Sequence, residues 1–183
     1  MNRQWMWTMG LAVFGLLALT ELFDWAHRSA PKATAVSAVA ERSLSGSDRF
    51  IVLANWNNEA VLDRKTGLVW ERSPNTSFAN WSGAQQHCDV LALGNHKDWR
   101  LPTIQELASL VDRSVPSPGP TLPPGHPFTV NTAFYWSATT DISNNANAWG
   151  VGFDIGDVGS GGKNAIDYVW CVRDGEELEM TPL

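Results

Sequence analysis

Cys88 and Cys171 are the two side chains of this 183-residue chain best suited to covalent chemistry. A thiol can be a nucleophile, a metal ligand or half of a disulfide. Three readings are open at this point: one disulfide, two free thiols in a core, or a catalytic pair. A disulfide between them would close a loop of about 84 residues, for which chain entropy gives roughly 4.5 kcal/mol.

Metal chemistry has less to work with. His27, His87, His96 and His126 stand in unrelated contexts, and with no His-x-x-x-His spacing and only two cysteines a zinc site is not expected. Oxygen donors are more plentiful late in the chain: Asp141, Asn144, Asn145, Asn147, Asp154 and Asp157. Calcium takes such oxygens, and Asp154 and Asp157 are the weak candidates for it. The same residue types are ordinary turn formers, and a helix–loop–helix calcium pattern does not occur. No resident metal or cofactor is expected. Residues 156–163 look like a phosphate loop, but Asp157 stands where its first glycine belongs and Asn164 where Ser or Thr should follow Lys163. No Gly-x-Ser-x-Gly nucleophile motif is present.

Composition narrows the class. Net charge is -6 and the pI about 5.1, without a basic stripe, so a nucleic-acid partner is not expected. Ten tryptophans let a modest domain bury much area with few residues, and a tryptophan-rich core is the simplest account of them.

The first 25 residues carry an uncharged run at 5–19, preceded by Arg3 and followed by Glu21 and Asp24. Fifteen residues suit a signal-peptide core, but Leu22, Phe23 and Trp25 extend the apolar run, and Trp5, Trp7 and Trp25 stand where interfacial aromatics belong. A clean cleavage site appears only at Ala33-Thr34-Ala35, well downstream. The reading is an uncleaved transmembrane signal-anchor at 1–25, with cleavage and release to the exterior or cell surface as the alternative. Residues 26–48 are small and polar and read as a linker. Residues 49–175 form one domain, and 176–183 an acidic tail.

Within the domain, residues 50–53 read as a strand and 60–71 as a hairpin, with Asp63 and Gly67 supplying its turn. Asn80 caps a helix over 81–91 whose Trp81, Ala84, Cys88 and Leu91 share one face. Thr103 and Glu106 form a capping box for a second helix with Ile104, Leu107, Ala108 and Val111 on its buried stripe. Residues 116–127, with six prolines, read as a stiff surface loop. Strands are expected at 134–139, at 148–155 with Trp149, Val151, Phe153 and Ile155 on one face, and at 166–173. Their connections are an Asn-rich loop at 141–147 and a Gly-rich one at 156–163, giving an antiparallel meander. Arg100 and Arg173 are expected to bond within the fold.

The order Asp63-x-x-Thr66-Gly67-Leu68-x-Trp70, Trp81-x-x-Ala84-x-x-x-Cys88, Asp98-Trp99-Arg100-Leu101-Pro102-Thr103-x-x-Glu106-Leu107, Tyr135-Trp136-Ser137-Ala138-Thr139-Thr140 and Cys171-Val172-Arg173 resembles the C-terminal domain of Legionella collagen-like proteins. The resemblance implies an α+β, C-type-lectin-like fold: two helices packed on an antiparallel sheet with long loops, here beyond an N-terminal transmembrane helix. It also implies that Cys88 pairs with Cys171 as a structural disulfide. The family is similar in fold to formylglycine-generating enzymes, whose cysteine pair is catalytic. Cysteines at the fold's structural positions argue against that activity here. The Glu-Pro-Asn, Gln-Pro-Asp and Trp-Asn-Asp triplets of calcium-dependent sugar binding are absent.

The expectation is therefore a non-enzymatic recognition domain, held by a single span in a bacterial inner membrane with the domain in the periplasm. Its partner would be a protein, a larger membrane complex or a polysaccharide. The residues expected to meet it are Asp141, Asn144, Asn145, Asn147, Trp149, Asp157 and Lys163, on the loops, with Tyr135 or Trp149 partly exposed beside them. An accessory subunit of a membrane complex is the second reading, and an enzyme of the formylglycine-generating type the third.

Overall fold

A computed structural model of the chain describes residues 45–175. The expected anchor, most of the linker and the acidic tail lie outside the described residues. Among the described residues, no helix is long and apolar enough to cross a membrane.

The domain is α+β, with two sheets and few helices. After a one-turn helix, α1 (Gly46–Arg49), come β1 (Phe50–Val52), β2 (Ala60–Asp63) and β3 (Leu68–Glu71). They form an antiparallel sheet that the last strand of the chain, β9 (Val172–Asp174), completes in the order β1-β2-β3-β9. The turn between β2 and β3 follows from its residues. Asp63 accepts the Lys65 amide at 3.0 Å and the Thr66 hydroxyl at 2.9 Å, and Gly67 takes a φ of +75° that side chains resist.

The second sheet contains β4 (Phe78–Ala79), β5 (Phe134–Thr140), β6 (Asn147–Gly152), β7 (Asp157–Gly162) and β8 (Asp167–Tyr168), in the order β4-β8-β5-β6-β7. Two helices lie between β4 and β5 of this sheet. In α2 (Trp81–Val90), Asn80 accepts the Gly83 amide as its cap, and Ala84 and Cys88 are its fully buried residues. In α3 (Ile104–Ala108), Thr103 and Glu106 make both bonds of the capping box. That helix is shorter than expected, although Leu107 is fully buried on its inner face.

Two apolar cores result. One packs Trp70, Tyr135, Phe153 and Trp170 with Leu107, Leu110 and Leu122, and the other packs Trp56, Trp99 and Trp136 around Cys88 and Cys171. Of the seven tryptophans in the domain, five are buried and two, Trp81 and Trp149, are half-buried. The tryptophan-rich core is thus real, and large aromatic side chains bury most area per residue.

Four expectations need correction. The Gly-rich segment expected as a connection is β7, paired with β6 over six consecutive positions from Gly152↔Asp157 to Asn147↔Gly162. Glycine has low strand propensity, but here it answers to neighbours: a Cβ on Gly161 would meet the Trp136 ring at 3.3 Å. The expected final strand is two. β8 pairs in parallel with β5 through Tyr135↔Tyr168, and β9 crosses to the other sheet, so only β5, β6 and β7 form a meander. The parallel contact also means that the sheet is not wholly antiparallel. The proline-rich segment is not all surface: Thr121, Leu122 and Pro123 are buried, and the Thr121 amide donates to the Phe153 carbonyl at 2.9 Å. Finally, Tyr135 is wholly buried, its hydroxyl receiving the Asn131 amide at 3.0 Å.

Two ionic clusters tie the elements. Arg49 forks onto Asp63 through Nε at 2.8 Å and Nη2 at 2.6 Å, with both side chains buried. Burial pushes the Asp63 carboxyl up, but the Arg49 hydrogen bond and charge, with the Lys65 and Thr66 donors, more than offset it and hold it below the usual range. Arg100 binds both oxygens of Glu106, at 2.7 and 2.8 Å, and reaches Asp174 of β9 at 2.8 Å, as expected of an arginine bonding inside the fold.

Candidate functional site

Cys88 and Cys171 are bonded to each other, so neither thiol is free for nucleophilic or metal chemistry. The helix positions Cys88, and the approach to β9 positions Cys171. Their Cα atoms lie 5.5 Å apart, within the ordinary span of a disulfide.

Asp141, Asn144, Asn145, Asn147, Trp149, Asp157 and Lys163 do not all occupy loops. Asn147 and Trp149 lie in β6, and Asp157 opens β7, so these three stand on paired backbone. What remains is a turn at 141–146 between β5 and β6, with Lys163 just beyond β7 and beside it. The Lys163 amide donates to the Ala146 carbonyl at 2.8 Å, and its Nζ donates to the Thr140 hydroxyl at 2.9 Å. The ammonium also lies 4.1 Å from the centre of the Trp81 ring, a cation–π contact. Trp81 is held in turn by its Nε1–H on the Ser137 carbonyl at 2.8 Å. A cation, an aromatic face and a hydroxyl thus converge at one place, from α2, β5 and the end of β7.

Asp141 shapes the turn from within. Its carboxylate accepts the Ser143 hydroxyl at 2.6 Å, the Ser143 amide at 2.9 Å and the Ser160 hydroxyl at 3.0 Å. The Ser143 hydroxyl and amide, followed by Ser160, hold this carboxyl below the usual range. Its acceptor oxygens are used structurally rather than offered to a ligand. Asn144 folds back on the Ala146 amide at 3.1 Å, while Asn145 is exposed. Ile142, 95% exposed, stands at the tip.

The calcium candidates fare differently. The Oδ1 atoms of Asp154 and Asp157 both stand over the Gly152 Cα, where a side chain would collide with them. Among the described residues, no three His, Cys, Asp or Glu side chains come together as a metal site.

The residues that sequence reasoning passed over are Thr140 and Trp81. Trp81 carries the apolar stripe of α2 but sits at its first turn, where a ring can turn one face outward. Its place two positions before Gly83, at the start of the helix, was the available signal.

The sequence profile of the Lcl C-terminal domain family matches residues 59–173, well over half of the chain. The chain belongs to the Lcl C-terminal domain family. The match runs from β2 to β9, so the Lcl C-terminal domain takes in the second sheet, the first sheet apart from β1, both longer helices and the disulfide. Among curated proteins, none matches the chain. The Trp81–Thr140–Lys163 cluster and the turn at 141–146 all lie inside the Lcl C-terminal domain.

Proposed function

We propose that this chain is a membrane-anchored recognition protein, exported to the periplasm, whose C-type-lectin-like domain binds a partner protein or an envelope glycan without catalysing a reaction. The Lys163 ammonium over the Trp81 ring, beside the Thr140 hydroxyl, carries this reading. An aromatic face stacks on a sugar ring or a flat side chain, and the lysine and the exposed Asn145 add polar contacts at its rim. Placement outside the cytoplasm is supported by the disulfide, which persists in oxidising compartments, together with the uncharged N-terminal run. Secretion or surface display after cleavage of that run is the alternative for location.

A second reading, an accessory subunit of a larger membrane complex, is favoured by one observation. Phe78, 65% exposed, meets the Tyr168 ring edge-on where β4 pairs β8, and Ile166, 61% exposed, stands next to the start of β8. Exposed apolar side chains grouped in this way suit a protein contact.

The test is recovery of ligand from native membranes solubilised in mild detergent, with the full chain and its Lys163→Met and Asn145→Ala variants. Loss of the captured ligand with both variants is the expected result. Capture that survives both, but is lost on Phe78→Ser, would move the function to the β4–β8 edge and the accessory reading.

A further inference from the structure

We infer that His126 is a proton-operated clasp on the start of the domain: neutral, it fastens the loop at 123–128 over Gly46 and Ser47, and protonated, it releases them. Loop and chain start are fitted closely. The Gly46 amide donates to the Pro124 carbonyl at 3.0 Å. A Cβ on Gly46 would collide with the carbonyl oxygens of Pro123 and Pro124 and with the His126 amide, so only a glycine passes under the loop. Gly125, at a φ of +85°, turns the loop beside Ser47.

His126 closes this loop with two bonds. Its amide donates to the Pro123 carbonyl at 3.2 Å, and its Nδ1 accepts the Phe128 amide at 3.2 Å. Phe128 is packed in the core, edge-on to Phe50 at 4.9 Å and to Trp170 at 5.0 Å. The ring nitrogen therefore links the loop that covers the chain start to a side chain fixed in the interior. An imidazole nitrogen accepts a hydrogen bond only while it carries no proton, and on the imidazolium both nitrogens are donors. Protonation sets two N–H groups against one another and leaves the part-buried Phe128 amide without its acceptor.

The charged side chains around the ring do not compensate an imidazolium. On α1, Asp48 is engaged by the Ser45 hydroxyl at 2.7 Å and Arg49 by Asp63. Beyond β3, Arg72 donates to the Pro127 carbonyl at 3.3 Å, which places another cation on the same loop. Phe50 of β1 and Trp170 ahead of β9 offer only rings. Burial holds the His126 imidazole below its ordinary value of 6.5. Closure is therefore complete above 6.5 and is lost as pH falls through the lower folded value. The release has a stop. Arg49 stays forked onto Asp63, whose carboxyl is held low, so acid that opens the clasp leaves this pair intact. Opening adds residues 45–48 to the chain that leads into the domain, about 14 Å of reach, and moves no strand.

The experiment is amide hydrogen exchange of the full chain in mild detergent, read residue by residue between pH 7.5 and 5 and corrected for intrinsic rates. Protection of Gly46 and Phe128 should fall by about fivefold or more, as a one-proton curve with its midpoint below 6.5, while the Arg64 amide on the Arg49 carbonyl stays protected. His126→Asn supplies an acceptor that does not titrate, since an asparagine side chain bonds backbone two residues on. In that variant Gly46 and Phe128 should keep one level of protection throughout, and if it does not fold, the native curve against Arg64 decides alone. Gly46 protection indifferent to pH in the native chain, a fall that Arg64 shares, or a fall that persists in His126→Asn would overturn the inference.

Discussion

Glu71 and Cys171 are joined in a way the β3–β9 ladder does not require. The Glu71 carbonyl accepts the Trp170 indole N–H at 2.8 Å, and the Cys171 amide turns instead to the Glu71 carboxylate at 3.4 Å. A carboxyl group is thereby drawn into the interior beside the disulfide, with its residue only 8% exposed. Burial pushes its pKa up to about 7, against the weaker pull of the Cys171 amide.

This carboxyl should make the domain more stable in mild acid than at neutral pH, as far as one group can. The folded state holds the proton more tightly than the unfolded chain. Its stabilising contribution is therefore complete below about 4.5 and is lost as pH rises through about 7. Glu71→Gln removes the charge and keeps an acceptor for the Cys171 amide. It should stabilise the domain at pH 8 by roughly 3 kcal/mol at most and change little at pH 4.5. Urea unfolding at the two pH values checks this, and an equal effect at both would refute it.

The disulfide should be the largest single contributor to stability. It spans 83 positions and closes nearly the whole helix-to-β9 segment. Replacing both cysteines by alanine should cost roughly 4.5 kcal/mol by the chain-entropy argument. Thermal unfolding of the double variant against the native chain, both without reductant, measures the difference. A loss under about 1 kcal/mol would show that the unfolded chain was already compact.

The Arg49–Asp63 pair should behave as a buried ion pair that tolerates no half-measure. Asp63→Asn leaves the Arg49 guanidinium buried and uncompensated, and should cost about 3–5 kcal/mol. The sign of its pH dependence is opposite to that of Glu71. The Asp63 carboxyl is held low, so its contribution is present above the ordinary value of 3.8 and disappears as pH falls through the depressed one. Acid unfolding followed by circular dichroism should therefore lose a steep component below pH 3.8 in Asp63→Asn.

Gly150 should be intolerant of even one carbon. A Cβ there would collide with the Tyr135 carbonyl oxygen and the Phe134 ring, in the centre of the second sheet. Gly150→Ala should destabilise by about 1–3 kcal/mol, the usual cost of overpacking. Gly159→Ala, whose nearest neighbour is the Phe134 ring at 3.8 Å, should cost far less. Equal melting temperatures for the two variants would contradict this account.

The parts of the fold legible in advance are those decided by local chemistry. Asn80, Thr103 with Glu106, and Asp63 with Gly67 announce helix starts and a turn through bonds made within four residues. The parts missed depend on distant partners. Residues 157–162 become a strand because β6 offers a ladder and Trp136 needs space beside Gly161, and neither fact is present in the segment. The run 166–173 looks continuous, yet the Val169 amide bonds the Ser77 carbonyl while the Val172 amide bonds that of Arg100, and the chain divides between two sheets. At the candidate site, Lys163 was readable as a polar residue beside a turn. Its seat on Trp81 was not, because the two residues, far apart in sequence, meet through the fold, with the amide of Trp81 on the carbonyl of Lys163 at 3.1 Å.

The position of β9 governs the order in which the molecule can assemble. The strand nearest the C-terminus is the one that closes the sheet begun by β1, β2 and β3, and Arg100 ties it to α3. Contacts so distant in sequence form slowly and only when the whole chain is available. During synthesis, the first hairpin must wait, with one edge open, for more than a hundred residues to follow. A chain that stalls before Cys171 would expose that edge, together with a lone Cys88 thiol, to any oxidant or protease it meets.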